Sequence, residues 1–268
     1  MDPAPAPSGK WTDLRTRILS AIVMVTVGAV EIWLGGTAFA VLVVVLTGVM
    51  VWELAGMTQP LERRSALVVA MVTGVALVAA LALKTQVAAL FLAVPSAVLV
   101  LTPRRDRWLS GIYALAILLA GYGLVILRDA GGITVILWLV AVVVASDVLG
   151  YFAGRMLGGP KFWPAISPKK TWSGTVAGWI GAALVGLVVV LTTGAGWALV
   201  PLSALVAFAG QMGDIAESWV KRRAGVKDAS ALIPGHGGVL DRFDALIGAV
   251  VLVMALGLVA PVAGLFGG

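Results

Sequence analysis

The chain has 268 residues, 60% of them hydrophobic and only 12% charged, with a net charge of +6 and no cysteine. A soluble domain covers itself with about 25% charged residues, so most of this surface has to face lipid. Without cysteine there are no disulfides and no thiolate metal sites. No hydrophilic block is long enough to fold alone, which predicts one integral membrane domain over residues 1–268.

Residues 1–17, MDPAPAPSGKWTDLRTR, form a polar tail that leads straight into an apolar run, without the small-residue cleavage pattern of a removable signal. A membrane-crossing helix takes about 20 apolar residues. Nine such runs follow, at 18–34, 37–57, 65–83, 86–102, 108–127, 132–154, 174–193, 197–220 and 243–264. Gly35-Gly36 joins the first two, and Gly194-Ala195-Gly196 the seventh and eighth. Of the 19 Lys and Arg residues, 17 fall in the tail and in the loops 58–64, 103–107, 155–173 and 221–242. Only Lys84 and Arg128 fall on the other side. Positive charge collects on the cytoplasmic side, which predicts an all-α bundle of nine spans, N-terminus inside and C-terminus outside. The same rule explains the basic balance without a nucleic-acid partner. Trp11, Trp52, Trp108, Trp172 and Trp197 lie near span ends, as interfacial anchors do.

Acids within or beside spans are costly and mark function. Glu31 and Glu53 lie near span ends, where each could simply reach the interface. Asp214, Glu217, Ser218 and Lys221 share one face of the eighth span. Asp241 and Asp244 share a face at the start of the ninth. Asp147, Gly150, Tyr151 and Gly154 form a third stripe, whose glycines would let a helix or a ligand come close. These acids could pair with nearby Lys and Arg and hold helices together. Gathered toward one side of the membrane, they suit a hard divalent cation better, such as Mg²⁺ held by carboxylates and substrate phosphates.

The adjoining loops add the opposite charge. Loop 155–173 carries Gly158-Gly159-Pro160-Lys161 and Ser167-Pro168-Lys169-Lys170-Thr171-Trp172. Loop 221–242 carries Lys221-Arg222-Arg223, Lys227-Asp228 and Pro234-Gly235-His236-Gly237-Gly238. Glycine clusters let backbone N–H groups approach an anion, and Lys and Arg neutralise it. Interleaved with the acids, they describe a site for phosphates and metal. The only histidine, His236, is open enough to bond a phosphate or a base, or to stabilise a turn.

The stretch from Ser218 to Asp244, with Lys221, Arg222, Lys227, Asp228, Pro234, His236, Gly237, Gly238, Asp241 and Arg242, strongly resembles the signature of phosphatidate cytidylyltransferases. Ser167–Trp172 and Asp147–Arg155 look like two further family segments, so the matching stretches lie within 140–250, while residues 1–140 resemble the family in hydropathy alone. Ser173 stands where an acid is common and Gly150 where alanine is commoner. The resemblance implies that CTP and phosphatidate give CDP-diacylglycerol and pyrophosphate, with Mg²⁺, in a helical membrane homodimer; the short chain suits a bacterial inner membrane.

On that reading Asp214, Asp241, Asp244 and Asp147 are candidates to hold one or two metal ions. Ser167, Lys169, Lys170, Lys221, Arg222, Lys227, Arg242, Gly237 and Gly238 are candidates to bind the phosphates, and His236 or Asp228 to assist. One substrate lives in the leaflet and the other in the cytosol, so a groove open sideways to lipid is expected. An ion-coupled transporter is the rival reading; it predicts acids at mid-membrane and inverted repeats, neither of which the sequence displays. The Asp-Gly-x-x-Ala-Arg core of CDP-alcohol phosphotransferases is not present.

Overall fold

The computed structural model describes residues 10–59, 63–83, 87–259 and 262–266; residues 1–9 of the tail and Lys84 lie outside them. The described helices are α1 Lys10–Leu34, α2 Gly36–Thr58, α3 Arg63–Leu83, α4 Ala88–Leu101, α5 Arg107–Leu157, α6 Trp172–Thr193, α7 Leu199–Ala224 and α8 Leu240–Gly257. Between α5 and α6 lie two short antiparallel strands, β1 Lys161–Trp163 and β2 Ser167–Thr171, and a 3₁₀ turn, Val262–Phe266, follows α8.

Six of these helices, α1, α2, α3, α5, α6 and α7, are long and apolar enough to cross a membrane. They leave large apolar side chains such as Val25, Met71, Val75 and Leu191 exposed, which water would penalise and lipid does not. The molecule is an integral membrane protein, mainly helical among the described residues, with the β1–β2 hairpin as its one pair of strands there.

Helix α5 runs for 51 residues, about 75 Å at 1.5 Å per residue and over twice the roughly 30 Å hydrocarbon core. Gly132, at φ 65° and ψ −161°, breaks it, where the hydropathy of the sequence separates 108–127 from 132–154. Helix α4 has 14 residues and contains Pro95, shorter than the expected 86–102.

Helix α5 packs along α6, α6 along α7, and α7 along α8. In lipid there is no hydrophobic drive between helices, so close packing through small residues has to hold them. A Cβ on Gly174 of α6 would lie 2.5 Å from the Gly150 carbonyl of α5. The glycine stripe of α5 therefore receives a helix. Likewise, a side chain on Gly213 of α7 would strike the Asp244 carbonyl of α8, so these two helices meet backbone to backbone beside Asp214.

Helix α1 is peripheral, with Ile18, Leu19, Ile22 and Val23 exposed. Arg128 donates to the Ile32 carbonyl at 3.1 Å, a cation placed at the negative end of α1. Trp108, Trp172 and Trp197 are exposed near helix ends, whereas Trp52 packs against the core; the Trp11 side chain lies outside the described residues.

Candidate active site

The antiparallel contact of α7 with α8 sets the C-terminal end of one beside the N-terminal end of the other. Lys221, on the last turns of α7, places its Nζ 2.6 Å from Asp241 Oδ1 and also pairs with Glu217 one turn back. Asp241 is engaged on its other oxygen too. Oδ2 accepts Gly238 N–H at 2.7 Å and Ala229 N–H at 2.9 Å. Gly237 and Gly238 thus serve the protein's own carboxylate, Gly237 at φ 85° with a would-be Cβ only 2.9 Å from Asp241 Oδ2.

Asp214 lies two turns back from Lys221 on α7. It binds Lys170 Nζ of β2 at 2.5 Å, and Ser218 Oγ donates to it at 3.3 Å. Strand alternation decides which lysine enters the site: Lys170 turns inward, while its neighbour Lys169 is exposed without an ion pair among the described residues. Ser167 begins the same strand opposite Trp163. Phe162, half-buried on β1, packs edge-on against Trp172 at 4.7 Å, which fixes the hairpin at the start of α6. Ser173, at the position where an acid was expected, donates to the Gly158 carbonyl at 2.5 Å.

Asp147, on the second half of α5, interacts electrostatically with Asp214, Lys170 and Arg242. Asp244 interacts with Asp214, Lys221 and Asp147, and accepts the Ala245 N–H at 2.7 Å. Carboxylates from α5, α7 and α8 therefore lie in one another's fields, with Lys170, Lys221 and Arg242 among them. Among the described residues no three acids or histidines stand close enough to form a ready metal cluster.

Other expected residues stand apart. Arg222 is exposed and donates to the Val226 carbonyl at 3.3 Å, closing the end of α7. Lys227 and Asp228 are exposed in the loop beyond it. His236 sits in a turn resting on α1, where Ser20 Oγ lies 2.9 Å from its Nδ1 and 3.1 Å from the Pro234 carbonyl.

An apolar groove of about 570 Å³ runs between the second half of α5 and α6, lined by Leu137, Trp138, Leu149, Leu184 and Val188. Its lining also includes Ala145 and Leu149, the residues that flank Asp147 two positions away on either side.

The Cytidylyltransferase family profile matches residues 15–260. The chain belongs to this family. A Brucella abortus protein named phosphatidate cytidylyltransferase is 37% identical over 92% of this chain and 94% of its own. Proteins of the same name from Staphylococcus saprophyticus and Helicobacter pylori are 38% and 43% identical. Those matches cover 55% and 45% of this chain, and 59% and 45% of their own.

Sequence reasoning missed several residues around this cluster. Glu53 does not reach the interface: it is 2% exposed. Its Oε1 accepts Ser230 Oγ at 2.6 Å and Val239 N–H at 2.9 Å, and its Oε2 accepts Leu240 N–H at 2.7 Å. Tyr113 of α5 is buried in the field of Glu217, Asp244, Asp214 and Asp241, and its hydroxyl makes no hydrogen bond among the described residues. Gln211 accepts from Trp179 at 2.9 Å and donates to Ser146 Oγ and the Thr175 carbonyl, each at 3.2 Å, tying α5, α6 and α7 together one turn from Asp214. Gln211 and Asp214 are three residues apart, a helical spacing that gave a signal; for Glu53 and Tyr113 nothing local in the sequence names the partners.

Beyond the cluster, Arg223 binds Asp106 in a fork, at 2.9 and 2.5 Å. That hydrogen-bonded guanidinium holds the Asp106 carboxyl below its ordinary range.

Proposed function

We infer that this chain transfers the cytidylyl group of CTP to phosphatidate, forming CDP-diacylglycerol and releasing pyrophosphate. The observation that carries the reading is the convergence of Asp147, Asp214 and Asp244 with Lys170, Lys221 and Arg242 where α5, α7, α8 and β2 meet. Family membership and relatives bearing the name favour it over an ion-coupled transporter.

A phosphatidate oxygen attacks the α-phosphorus of CTP, and the bond from that phosphorus to the β-phosphate oxygen breaks as pyrophosphate leaves. The attacking phosphate is already anionic at neutral pH, so positioning and charge neutralisation supply most of the catalysis. Lys170 and Arg242 take the phosphate oxygens, with Lys169, Arg222 and Lys227 gathering the triphosphate at the exposed rim. Ser167, Gly237 and Gly238 shape the loops around it, and His236 and Asp228 stay with the loop. Lys221, held by Asp241 and Glu217, meets the developing charge.

Mg²⁺ would be held by one or two of Asp147, Asp214 and Asp244, which lie in one another's fields, together with substrate phosphates, the oxygen ligands that such an ion prefers. When bound, one or two such ions neutralise triphosphate charge. Asp241, committed to Lys221 and to two backbone N–H groups, orders the site instead of donating freely.

The acyl chains lie in the groove between α5 and α6. On this reading α5 counts twice about Gly132 and α4 and α8 join the long helices to give nine crossings, and the excess of Lys and Arg in the tail and alternate loops favours an N-terminus and a site on the cytoplasmic side of a bacterial inner membrane. The whole chain acts as one membrane domain, paired as a homodimer. The test is an assay of purified protein with labelled CTP and phosphatidate, with and without Mg²⁺. Label should enter the lipid phase only with both substrates and metal. Label remaining in water, or ion flux without nucleotide, overturns the reading.

A further inference from the structure

We propose that Glu53 is a positioning residue for this transfer: from the far half of the chain it sets the loop and the first turn of α8 that present Asp241 to Lys221. The inference rests on the functional reading above and deepens it.

The first N–H groups of a helix have no partner within it. At α8, Val239 and Leu240 N–H both point into the Glu53 carboxylate, and Ser230 Oγ adds a third bond from the preceding loop. A carboxylate here also meets the positive end of the helix. The neighbouring Gly238 N–H points the other way, to Asp241 Oδ2. Consecutive peptide groups are therefore gripped by two carboxylates from different elements, Glu53 of α2 and Asp241 of α8. With Oδ2 so held, Oδ1 of Asp241 has one direction left, toward Lys221 at 2.6 Å.

Two features show the fit is specific. A Cβ on Gly238 would lie 2.5 Å from Glu53 Oε1, so only glycine lets the loop close on the acid. Both Glu53 oxygens receive backbone donors, Val239 N–H on Oε1 and Leu240 N–H on Oε2. A glutamine must then turn its NH₂ against one of them, whichever way it is flipped.

The test uses the full chain in lipid nanodiscs, comparing wild type with Glu53→Gln, Glu53→Asp and Ser230→Ala. Glu53→Gln should lower kcat by about 10- to 100-fold, the scale of a small displacement of a reacting constellation, while KM for phosphatidate stays within about twofold. Glu53→Asp, which keeps the charge, should recover part of the loss. Ser230→Ala, losing one of the three bonds, should cost kcat about 2- to 5-fold. Hydrogen exchange should quicken at amides 229 and 238–240 in each variant and stay unchanged in α3.

Wild-type kcat and wild-type exchange in Glu53→Gln overturn the proposal. If that variant does not fold, the same result in Ser230→Ala overturns it. Faster exchange throughout the chain, with activity falling only as folded protein falls, also overturns it, because Glu53 would then be general scaffolding. If wild type forms no lipid-linked cytidylyl product, the functional reading fails, and the exchange pattern alone decides whether Glu53 holds the loop.

Discussion

The two halves of the chain satisfy their buried polar groups in opposite ways. In α2 and α3, Thr47 and Thr73 each donate to the carbonyl four residues back in their own helix, at 2.7 and 2.8 Å. From α5 onward in-helix bonds such as Ser203 to Leu199 persist, but many buried bonds also cross between elements: Trp138 to Ser203, Trp179 to Gln211, Gln211 to Ser146, Lys170 to Asp214, Lys221 to Asp241. A hydroxyl bonded within its own helix makes no demand on the neighbour, which need only pack. A bond that crosses fixes rotation and height of both partners, because a misplaced helix would leave polar groups unsatisfied in a medium that cannot hydrate them. The second half is therefore the part with specified geometry. Glu53, Ser20 and Thr58 are first-half residues that break the pattern: Thr58 accepts from Arg104 at 3.3 Å, and the other two reach into the loop before α8.

The largest expected effect contrasts one residue from each region. Asp214→Ala removes the carboxylate that meets Lys170 and lies in the field of Asp147 and Asp244. Its kcat/KM for CTP should fall by about 10²- to 10³-fold, the usual scale for losing one preorganised electrostatic group. Thr73→Val, buried in α3 and bonded within its helix to the Val69 carbonyl, should leave kcat/KM within about twofold. Comparable losses in the two variants would break the distinction between the regions.

The same contrast explains what was legible in the sequence. Helix positions followed from hydropathy, because lipid-facing and packed positions alike must be apolar in long runs. The face carrying Asp214, Glu217, Ser218 and Lys221 followed from helical spacing, and the structure places it against Asp241 and Lys170. Tertiary closure did not follow. Asp241 was expected to be open for metal, yet Lys221, Ala229 and Gly238 occupy both its oxygens, and residues 12 and 20 positions away leave no local pattern. The β1–β2 hairpin was read as plain loop because its strands are only three and five residues long and are held by the Phe162–Trp172 contact, which no local pattern announces. Glu53 was hardest of all, since its partners lie 177 to 187 residues further along.

A middle-sized effect tests whether crossing bonds fix geometry or merely accompany it. Gln211→Leu keeps approximate volume and removes the bonds to Trp179, Ser146 and the Thr175 carbonyl. Their polar atoms would remain buried, which costs about 1–3 kcal/mol for each group left unpaired. Detergent-solubilised protein should melt earlier, and kcat should fall severalfold as α7 shifts, because Lys170 bonds both Asp214 and the backbone carbonyl of residue 211, which leucine keeps but would carry with the displaced helix. An earlier melt with unchanged kcat would mean that the crossing bonds stabilise the helices without placing the site.

The smallest effect belongs to a crossing pair set in water. Asp106 receives both nitrogens of the Arg223 fork, joining the start of α5 to the end of α7. It also occupies the left-handed region at φ 52°, which asparagine tolerates as well as aspartate does, so Asp106→Asn removes charge without straining the turn. Exposed pairs contribute little and are screened by salt. The Asp106 carboxyl titrates below its ordinary value in the folded chain. Its contribution is therefore complete above the unfolded value and is lost as pH falls through the lowered one, well below neutrality. At neutral pH and low salt the variant should melt slightly earlier than wild type, at high salt together with it, with kcat within about twofold of wild type. A large loss at neutral pH that persists in high salt would place the Arg223 fork among the geometry-fixing bonds of the interior, and the division between buried and exposed crossing pairs would have to be redrawn.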